Sequence, residues 1–247
     1  VYCLLAFRRE PVTQGFRKVQ VQDNSLGYVS MLKHHPPAEF MTEYAAGVLP
    51  VAQSACVAAH LSYCQRCRHI VERLEDIGGA HFEQLDPQPV GDSILDRVLA
   101  RLDDPEPLRY ARSEASDTRL PGLLNRLING DYADLAWKRV TQSLSISYLK
   151  TGDLEHEFAL YRISEGGKIP EHTHGGSEMT LVLSGGFADE SGEYHPGDFI
   201  VREGWDKHTP VALEGEECIC LAVLDAPLRF TRLRHRWLNP LLKLNAG

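Results

Sequence analysis

The sequence predicts a two-part protein, α-helical first and all-β second, on three observations. At 247 residues the chain is about 1.6 times an ordinary domain of about 150 residues. Residues 36–104 carry helical periodicity and helix punctuation. From about residue 122 the texture changes to short β-branched or alternating runs separated by glycine-rich turns, the pattern of a β-sandwich or small barrel.

The helical part holds four candidate helices. The first runs from Ala38 to Ala46, with Gly47 as its stop. The second follows Pro50 and reads VAQSACVAAHLSYC, rich in alanine. The third covers Arg66 to Ile77, with Ile70, Leu74 and Ile77 on one face and Gly78-Gly79 expected to end it. The fourth starts at the N-cap candidate Ser93 and lines up Ile94, Leu95, Val98, Leu99 and Leu102. Four such short helices bury little surface, and bundles of this size usually need a staple.

The stretch from Asp103, DDPEPLRYARSEASDTRLP, has charge, proline and no period, so residues 106–121 read as a linker. The expected strands are Leu144 to Leu149, Glu157 to Ile163, Met179 to Leu183, Asp198 to Arg202, His208 to Leu213 and Cys218 to Val223. Residues 1–30 lack a clear period and are mildly basic through Arg8, Arg9, Arg17 and Lys18. They read as an N-terminal extension, disordered or a small β arm, with Met31 as an alternative start. The division expected is therefore 1–30, 31–105, 106–121 and 122–247.

Composition excludes several classes. With 43% hydrophobic and 24% charged residues the chain is ordinary globular protein rather than disordered. A formal charge of -8 and a pI near 5.8 give no positive field for phosphates, so direct nucleic-acid binding is not expected. No apolar run approaches a membrane span, and VYCLLAF lacks the flanks of a signal peptide. A cytoplasmic location is expected. Six cysteines in a reducing compartment then point to metal ligands or redox centres rather than a disulfide framework.

His60, Cys64 and Cys67 form H-x3-C-x2-C. On a helix these positions share one stripe, and C-x2-C alone also suits a turn between helices; either lets three ligands converge. Structural Zn²⁺ takes four. His35 is the expected fourth, with His34 and His69 as competitors. Oxidation of these thiolates would remove ligands and loosen the module.

A second constellation lies in the β-rich part: Gly166-x5-His172-x-His174-x3-Glu178-x6-Gly185. Histidines two apart share a strand face, and Glu178 returns on the next strand. His208, after the Tyr194-His195-Pro196-Gly197-Asp198 turn, supplies a fourth ligand. A three-His, one-Glu set suits Zn²⁺, Fe²⁺, Mn²⁺ or Ni²⁺, with zinc the expectation. His195 reads as a solvated turn residue, and Cys218 and Cys220, i and i+2 on one strand, as packing cysteines with a redox pair as the alternative.

These residues carry a family resemblance. His35-x24-His60-x3-Cys64-x2-Cys67 with TEYAAGVL between resembles the zinc-binding anti-sigma domain. The glycine, histidine and glutamate spacing around Glu178 matches the first cupin motif, whereas KHTPV (Lys207 to Val211) lacks the asparagine usual in the second. The two in this order, with THGGSEMTLVLSGGFADE and CICLAVLDAPLRF, closely resemble the ChrR family of anti-sigma factors over residues 31–247. The resemblance implies a small zinc-bound four-helix anti-sigma domain followed by a cupin jelly-roll β-barrel. It also implies a non-enzymatic repressor of an extracytoplasmic-function, group IV, sigma factor, responding to singlet oxygen or related oxidative stress through the cupin. His35, His60, Cys64 and Cys67 would then hold the first metal, and His172, His174, Glu178 and His208 the second. The competing reading is a dioxygenase-like cupin enzyme with an accessory zinc module, for which the sequence offers no dedicated acid or base.

Overall fold

In a computed structural model the protein is described over residues 32–89, 91, 93–101, 120–128, 132–233, 236–241 and 243–246. Residues 1–30 and all but the end of the expected linker at 106–121 lie outside this set, as does Cys3. Helix α1, Ala38–Ala45, follows Pro36-Pro37, and α2, Val51–Tyr63, follows Pro50; proline tolerates the non-helical φ and ψ before a helix and contributes no wasted N–H. Helix α3, Gln65–Phe82, starts after a one-residue break at Cys64, whose backbone is extended. It does not stop at Gly78-Gly79 as expected. Neither glycine takes the left-handed conformation of a C-cap, and Glu83 N–H still reaches Gly79 O at 3.0 Å, so the ladder runs through. Helix α4, Ser93–Leu99, carries Ile94, Leu95, Val98 and Leu99 of the expected stripe with no side chain buried, Leu102 lying outside the described residues, and α5, Gly122–Ile128, is a short helix not anticipated, anchored by the buried Leu124.

The β part contains β1 Lys138–Arg139, β2 Leu144–Tyr148, β3 Glu157–Ile163, β4 His172–His174, β5 Glu178–Ser184, β6 Phe187–Asp189, β7 Gly192–Tyr194, β8 Phe199–Arg202, β9 Val211–Ala212, β10 Cys218–Leu224 and β11 Leu228–Phe230. A six-stranded antiparallel sheet, ordered β1-β2-β3-β10-β5-β8, packs against two smaller sheets, β11-β4 and β7-β6-β9. The expected strand from His208 to Leu213 shrinks to Val211–Ala212 because Pro210 cannot donate to a ladder. Thr209 N–H bonds the Glu190 carboxylate instead, and His208 makes an isolated bridge to His172.

The large sheet is apolar on both faces. On β10, Cys218, Cys220, Ala222 and Leu224 point into the barrel, while Ile219, Leu221 and Val223 point outward, and all seven are buried. Outward residues Phe158, Leu160, Met179, Leu181, Leu183 and Phe199 complete a second apolar surface. Helix α2 covers it with Ala52, Cys56, Val57 and Ala59, each fully buried, joined by Leu49 and Leu124. The alanine-rich face of α2 allows close approach to the sheet, so helical and β parts share one core. Burial of each larger apolar side chain there contributes about 1.5–3 kcal/mol.

Polar contacts pin α2 at both ends. At its N-terminus the Ala52 N–H donates to Asp153 Oδ2 across 101 residues of sequence, at 3.3 Å, so the cap that Pro50 cannot supply comes from the β2–β3 connection. His156 lies 3.1 Å from Asp153 and 3.2 Å from Gln53 of α2. At the C-terminus the His60 ring donates to Gly197 O at 2.8 Å. Gly197 has φ +94°, and a β-carbon there would stand 2.8 Å from Leu32 and 3.0 Å from Tyr63. Among the described residues no helix is long and apolar enough to cross a membrane.

Two outcomes follow from this seam. Gly197→Ala adds both backbone strain and a clash, so thermal unfolding should show a loss of about 1–3 kcal/mol. Burial raises the Asp153 pKa, but the N–H groups of Glu155, Ala52 and His156 and the His156 ring outweigh it and hold the carboxyl below its ordinary value. A depressed folded pKa stabilises above the unfolded value of about 3.9 and loses that contribution as pH falls through the folded one. Asp153→Asn keeps a capping side chain without the charge, so its thermal midpoint should fall less steeply than that of the parent between about pH 5 and pH 2.

Candidate metal centres

The helical cluster forms where three chain segments meet. His35 arrives on the extended segment before α1, His60 on the last turn of α2, Cys64 at the α2–α3 break and Cys67 on the first turn of α3. Cys64 is both the C-cap of α2 and the N-cap of α3, and its Sγ accepts from Cys67 N–H at 3.4 Å. The break therefore turns both sulfurs to one side, the turn alternative rather than a continuous helical stripe. Both Sγ atoms lie 3.4 Å from His35 Nδ1. All four ligand atoms lie within 4.8 Å of one another. With zinc bonds of about 2.0–2.3 Å, a tetrahedron has edges of about 3.5 Å, which the sulfur–nitrogen separations match.

The His60 tautomer is set by the barrel. Its Nδ1–H donates to Gly197 O, leaving a buried Nε2 with no hydrogen-bond partner among the described residues. A buried lone pair without a partner is costly unless a cation occupies the space in front of it. Burial, partly offset by the Gly197 contact, lowers the His60 pKa to about 4, and burial with the neighbouring Arg66 lowers that of His35. Both imidazoles are thus neutral and available as ligands. Burial, then Cys64, pushes the Cys67 thiol up to about 12, a proton that metal binding would have to displace. The two competitors stand elsewhere: the His34 ring packs edge-on against Tyr194 at 4.8 Å, and His69 is exposed and bonds Glu72.

The second cluster lies inside the barrel. His172 and His174 occupy the same face of β4, Glu178 is the first residue of β5, and the His172↔His208 bridge brings in His208. His208 Nε2 is 2.9 Å from His172 Nε2 and 3.2 Å from His174 Nε2. Glu178 Oε2 is 3.0 Å from His174 Nε2 and 4.0 Å from that of His208. Metal–nitrogen bonds of about 2.0–2.1 Å give ligand spacings of about 2.9–3.4 Å. Two of the three outer nitrogens are spoken for: His172 Nδ1 is 2.8 Å from Pro170 O and His208 Nδ1 is 3.2 Å from Asp189 Oδ2, while the buried His174 Nδ1 has no hydrogen-bond partner among the described residues. These bonds turn the ε lone pairs inward.

Electrostatics fit the same use. Burial, then His208 and His174, lowers the His172 pKa to about 3. Burial opposes ionisation of Glu178, yet the three histidines hold it well below the carboxylate range, so a buried anion faces convergent imidazoles. A cavity of about 30 Å³ adjoins the cluster, lined in part by Tyr161, Thr180, Pro210 and Cys220. It has room for about one or two waters, far less than the roughly 300–1,000 Å³ of an organic substrate pocket. His195 sits 45% exposed on its turn, away from the cluster. Cys218 and Cys220 form no disulfide; both are buried, with their sulfurs in hydrogen-bond contact at 3.5 Å.

The outer contacts escape sequence reasoning. Asp189, Arg202 and Tyr194 form a buried knot behind His208, and Asp198 accepts from the Lys33 and His34 N–H groups beside His35. Only the Tyr194-to-Asp198 turn before His208 is marked in the sequence, by its His195-Pro196-Gly197 run.

Residues 125–226 match the ChrR cupin-like domain. The chain is 36% identical over 213 residues to the anti-sigma-E factor ChrR of Cereibacter sphaeroides, covering 86% of this chain and 99% of that protein. The chain belongs to the ChrR family of anti-sigma factors. Its structure is similar to a chain in the crystal structure of Rhodobacter sphaeroides SigE in complex with the anti-sigma ChrR, with TM-score 0.70 and 35% identity, covering 78% of this chain and 99% of that one. Within this ChrR-family chain the helices carry a His/Cys set able to hold a metal and the cupin a histidine triad able to do so.

The two clusters share no residue, so each should be removable alone. Cys64→Ser with Cys67→Ser should lower metal content by one ion per chain, and His172→Ala with His174→Ala should do the same independently. Elemental analysis of the purified variants measures both, and loss of two ions from either would show that the sites are not separate.

Proposed function

We propose that this protein sequesters an extracytoplasmic-function, group IV, sigma factor and so represses transcription until oxidative stress, such as singlet oxygen, acts through the cupin. The observation that carries the reading is that the helices carrying the His/Cys cluster are followed by an amphipathic helix, α4, that buries none of its side chains among the described residues. In α4, Leu95, Val98 and Leu99 are 64%, 54% and 50% exposed. An apolar stripe of that size marks a partner surface. The solved relative was crystallised as ChrR in complex with SigE, and its counterpart here would be this chain's own sigma factor.

The division of labour follows the division of the chain. Residues 31–105 would bind sigma, 106–121 would join the parts, and 122–247 would sense. His35, His60, Cys64 and Cys67 would hold Zn²⁺, and His172, His174, Glu178 and His208 a second divalent metal, for which zinc is our choice over iron, manganese or nickel. The metals supply fixed coordination geometry. The chain's own residues do the rest: Cys64 and Cys67 fix the angle between α2 and α3, and His60 ties that angle to the barrel. The formal charge of -8 suits competition for the basic face with which a sigma factor meets DNA, without nucleic-acid contact by this protein, in the cytoplasm. The small cavity beside the cupin cluster speaks against the enzyme reading.

Co-expression with an extracytoplasmic-function sigma factor from the same genome should yield a stable complex. Cys64→Ser with Cys67→Ser should abolish co-purification, whereas His172→Ala with His174→Ala should spare it and blunt induction of a sigma-dependent reporter by singlet oxygen. Tight binding by the thiol-free variant, or a normal response from the cupin variant, would overturn the corresponding half of the proposal.

A further inference from the structure

An unbroken set of contacts joins the two clusters. His208, whose Nε2 faces the cupin cluster, has its Nδ1 3.2 Å from Asp189 Oδ2. Arg202 Nη2 donates to that same oxygen at 2.7 Å and to Tyr194 Oη at 2.9 Å, and Tyr194 Oη donates to Asp189 Oδ1 at 3.3 Å. The Tyr194 ring carries the His34 ring edge-on. His34 is fastened by its N–H to Asp198 Oδ1 at 3.1 Å and by its carbonyl to Phe199 N–H at 3.1 Å, and the next residue is His35. The turn that Tyr194 begins also contains Gly197, whose carbonyl holds His60. Two of the four helical-cluster ligands therefore rest on one barrel turn, which is braced from behind by the group that orients His208.

We propose that Asp189, Arg202 and Tyr194 are positioning residues that couple the centres, so that the state of the cupin cluster sets how firmly the helical cluster holds its metal. This deepens the proposed function and rests on its reading that both clusters bind metal. The Asp189 side chain is 0% and that of Arg202 15% exposed, so neither charge can swing into solvent without leaving its partner buried and unpaired. When His208 changes orientation, the ion pair and Tyr194 move together. Close packing does not absorb such a shift gradually, and the backbone tethers of His34 pass it to His35. The coupling lies in a physical element that both sites load, as coupling between sites requires.

Cobalt(II) separates the two readouts. Thiolate-to-cobalt charge-transfer absorption reports the helical cluster alone, because the cupin set contains no sulfur. The full chain loaded with cobalt is challenged with excess chelator, and the decay of that absorption is followed with the cupin cluster intact or removed by His172→Ala with His174→Ala. Emptying the cupin should speed cobalt loss from the helical cluster by about tenfold. In a Tyr194→Phe background, which keeps the ring but removes both hydroxyl contacts, the same change should alter the rate by less than about twofold; Asp189→Asn, which keeps the shape, should do likewise, by the scale of outer-shell effects. Equal rates with the cupin filled or emptied in the parent would overturn the coupling, as would a tenfold effect that survives both replacements. A parent chain that shows no charge-transfer absorption, or takes up no cobalt in the cupin, would overturn the metal reading and the inference with it.

Discussion

Everything else in this structure depends on α2 lying against the outer face of the six-stranded sheet. That face is a continuous apolar surface built from β3, β5, β8 and β10, which a free-standing cupin barrel would have to cover in some other way. Its cover is a helix whose fully buried contact residues, Ala52, Cys56, Val57 and Ala59, are all small, and small residues bring the backbones close enough for polar contacts to form at both ends. Asp153 caps one end and Gly197 receives His60 at the other. The helix is thus placed in all directions by partners about 100 or more residues away.

This placement decides the chemistry of the helical cluster. A histidine ligand needs one nitrogen satisfied and the other free, and for His60 the satisfying carbonyl belongs to the barrel. A helical module folded alone could offer the same four residues, but His60 would need another acceptor to fix its tautomer. The cupin cluster follows the same rule from within its own sheets, with Pro170 and Asp189 taking the outer hydrogens of His172 and His208. Both centres are thus specified by second contacts as much as by the ligands.

Much of this was legible in the sequence for a definite reason. Metal ligands must be particular residue types at spacings a helix or strand can bring together, so His60, Cys64 and Cys67, and His172, His174 and Glu178, stand out as candidates. Helices α1 and α2 were marked by the prolines before them, and β3, β5 and β10 by apolar runs. What was not legible is long-range. Asp153, Asp189, Asp198 and Arg202 are ordinary polar residues whose roles arise only when strands pair. Gly78-Gly79 looked like a helix end because glycine has no sequence mark separating a C-cap from a tolerated interior position. Helix α5 was missed because seven residues are too few for a period, and its reason for existing is a single tertiary contact through Leu124.

The magnitudes also say where a release signal must act. Moving a two-state complex from 1:99 to 99:1 takes about 5.5 kcal/mol, and coupling between distant sites typically carries about 1–3 kcal/mol. A change at the cupin transmitted through Asp189, Arg202 and Tyr194 is therefore too small to empty a tight complex unaided. Structural zinc in small modules is worth about 10–16 kcal/mol of folding, so losing it exceeds what release requires. A bias of about 1–3 kcal/mol at His35 and His60 would not expel such a metal unaided, so under the proposed coupling release would also require the Cys64 and Cys67 thiolates to be consumed, as oxidation would do. On that proposal the two centres would act in series: the barrel turn would bias which helical clusters lose their metal, and chemical loss of the thiolate ligands would remove the stabilisation that holds the complex.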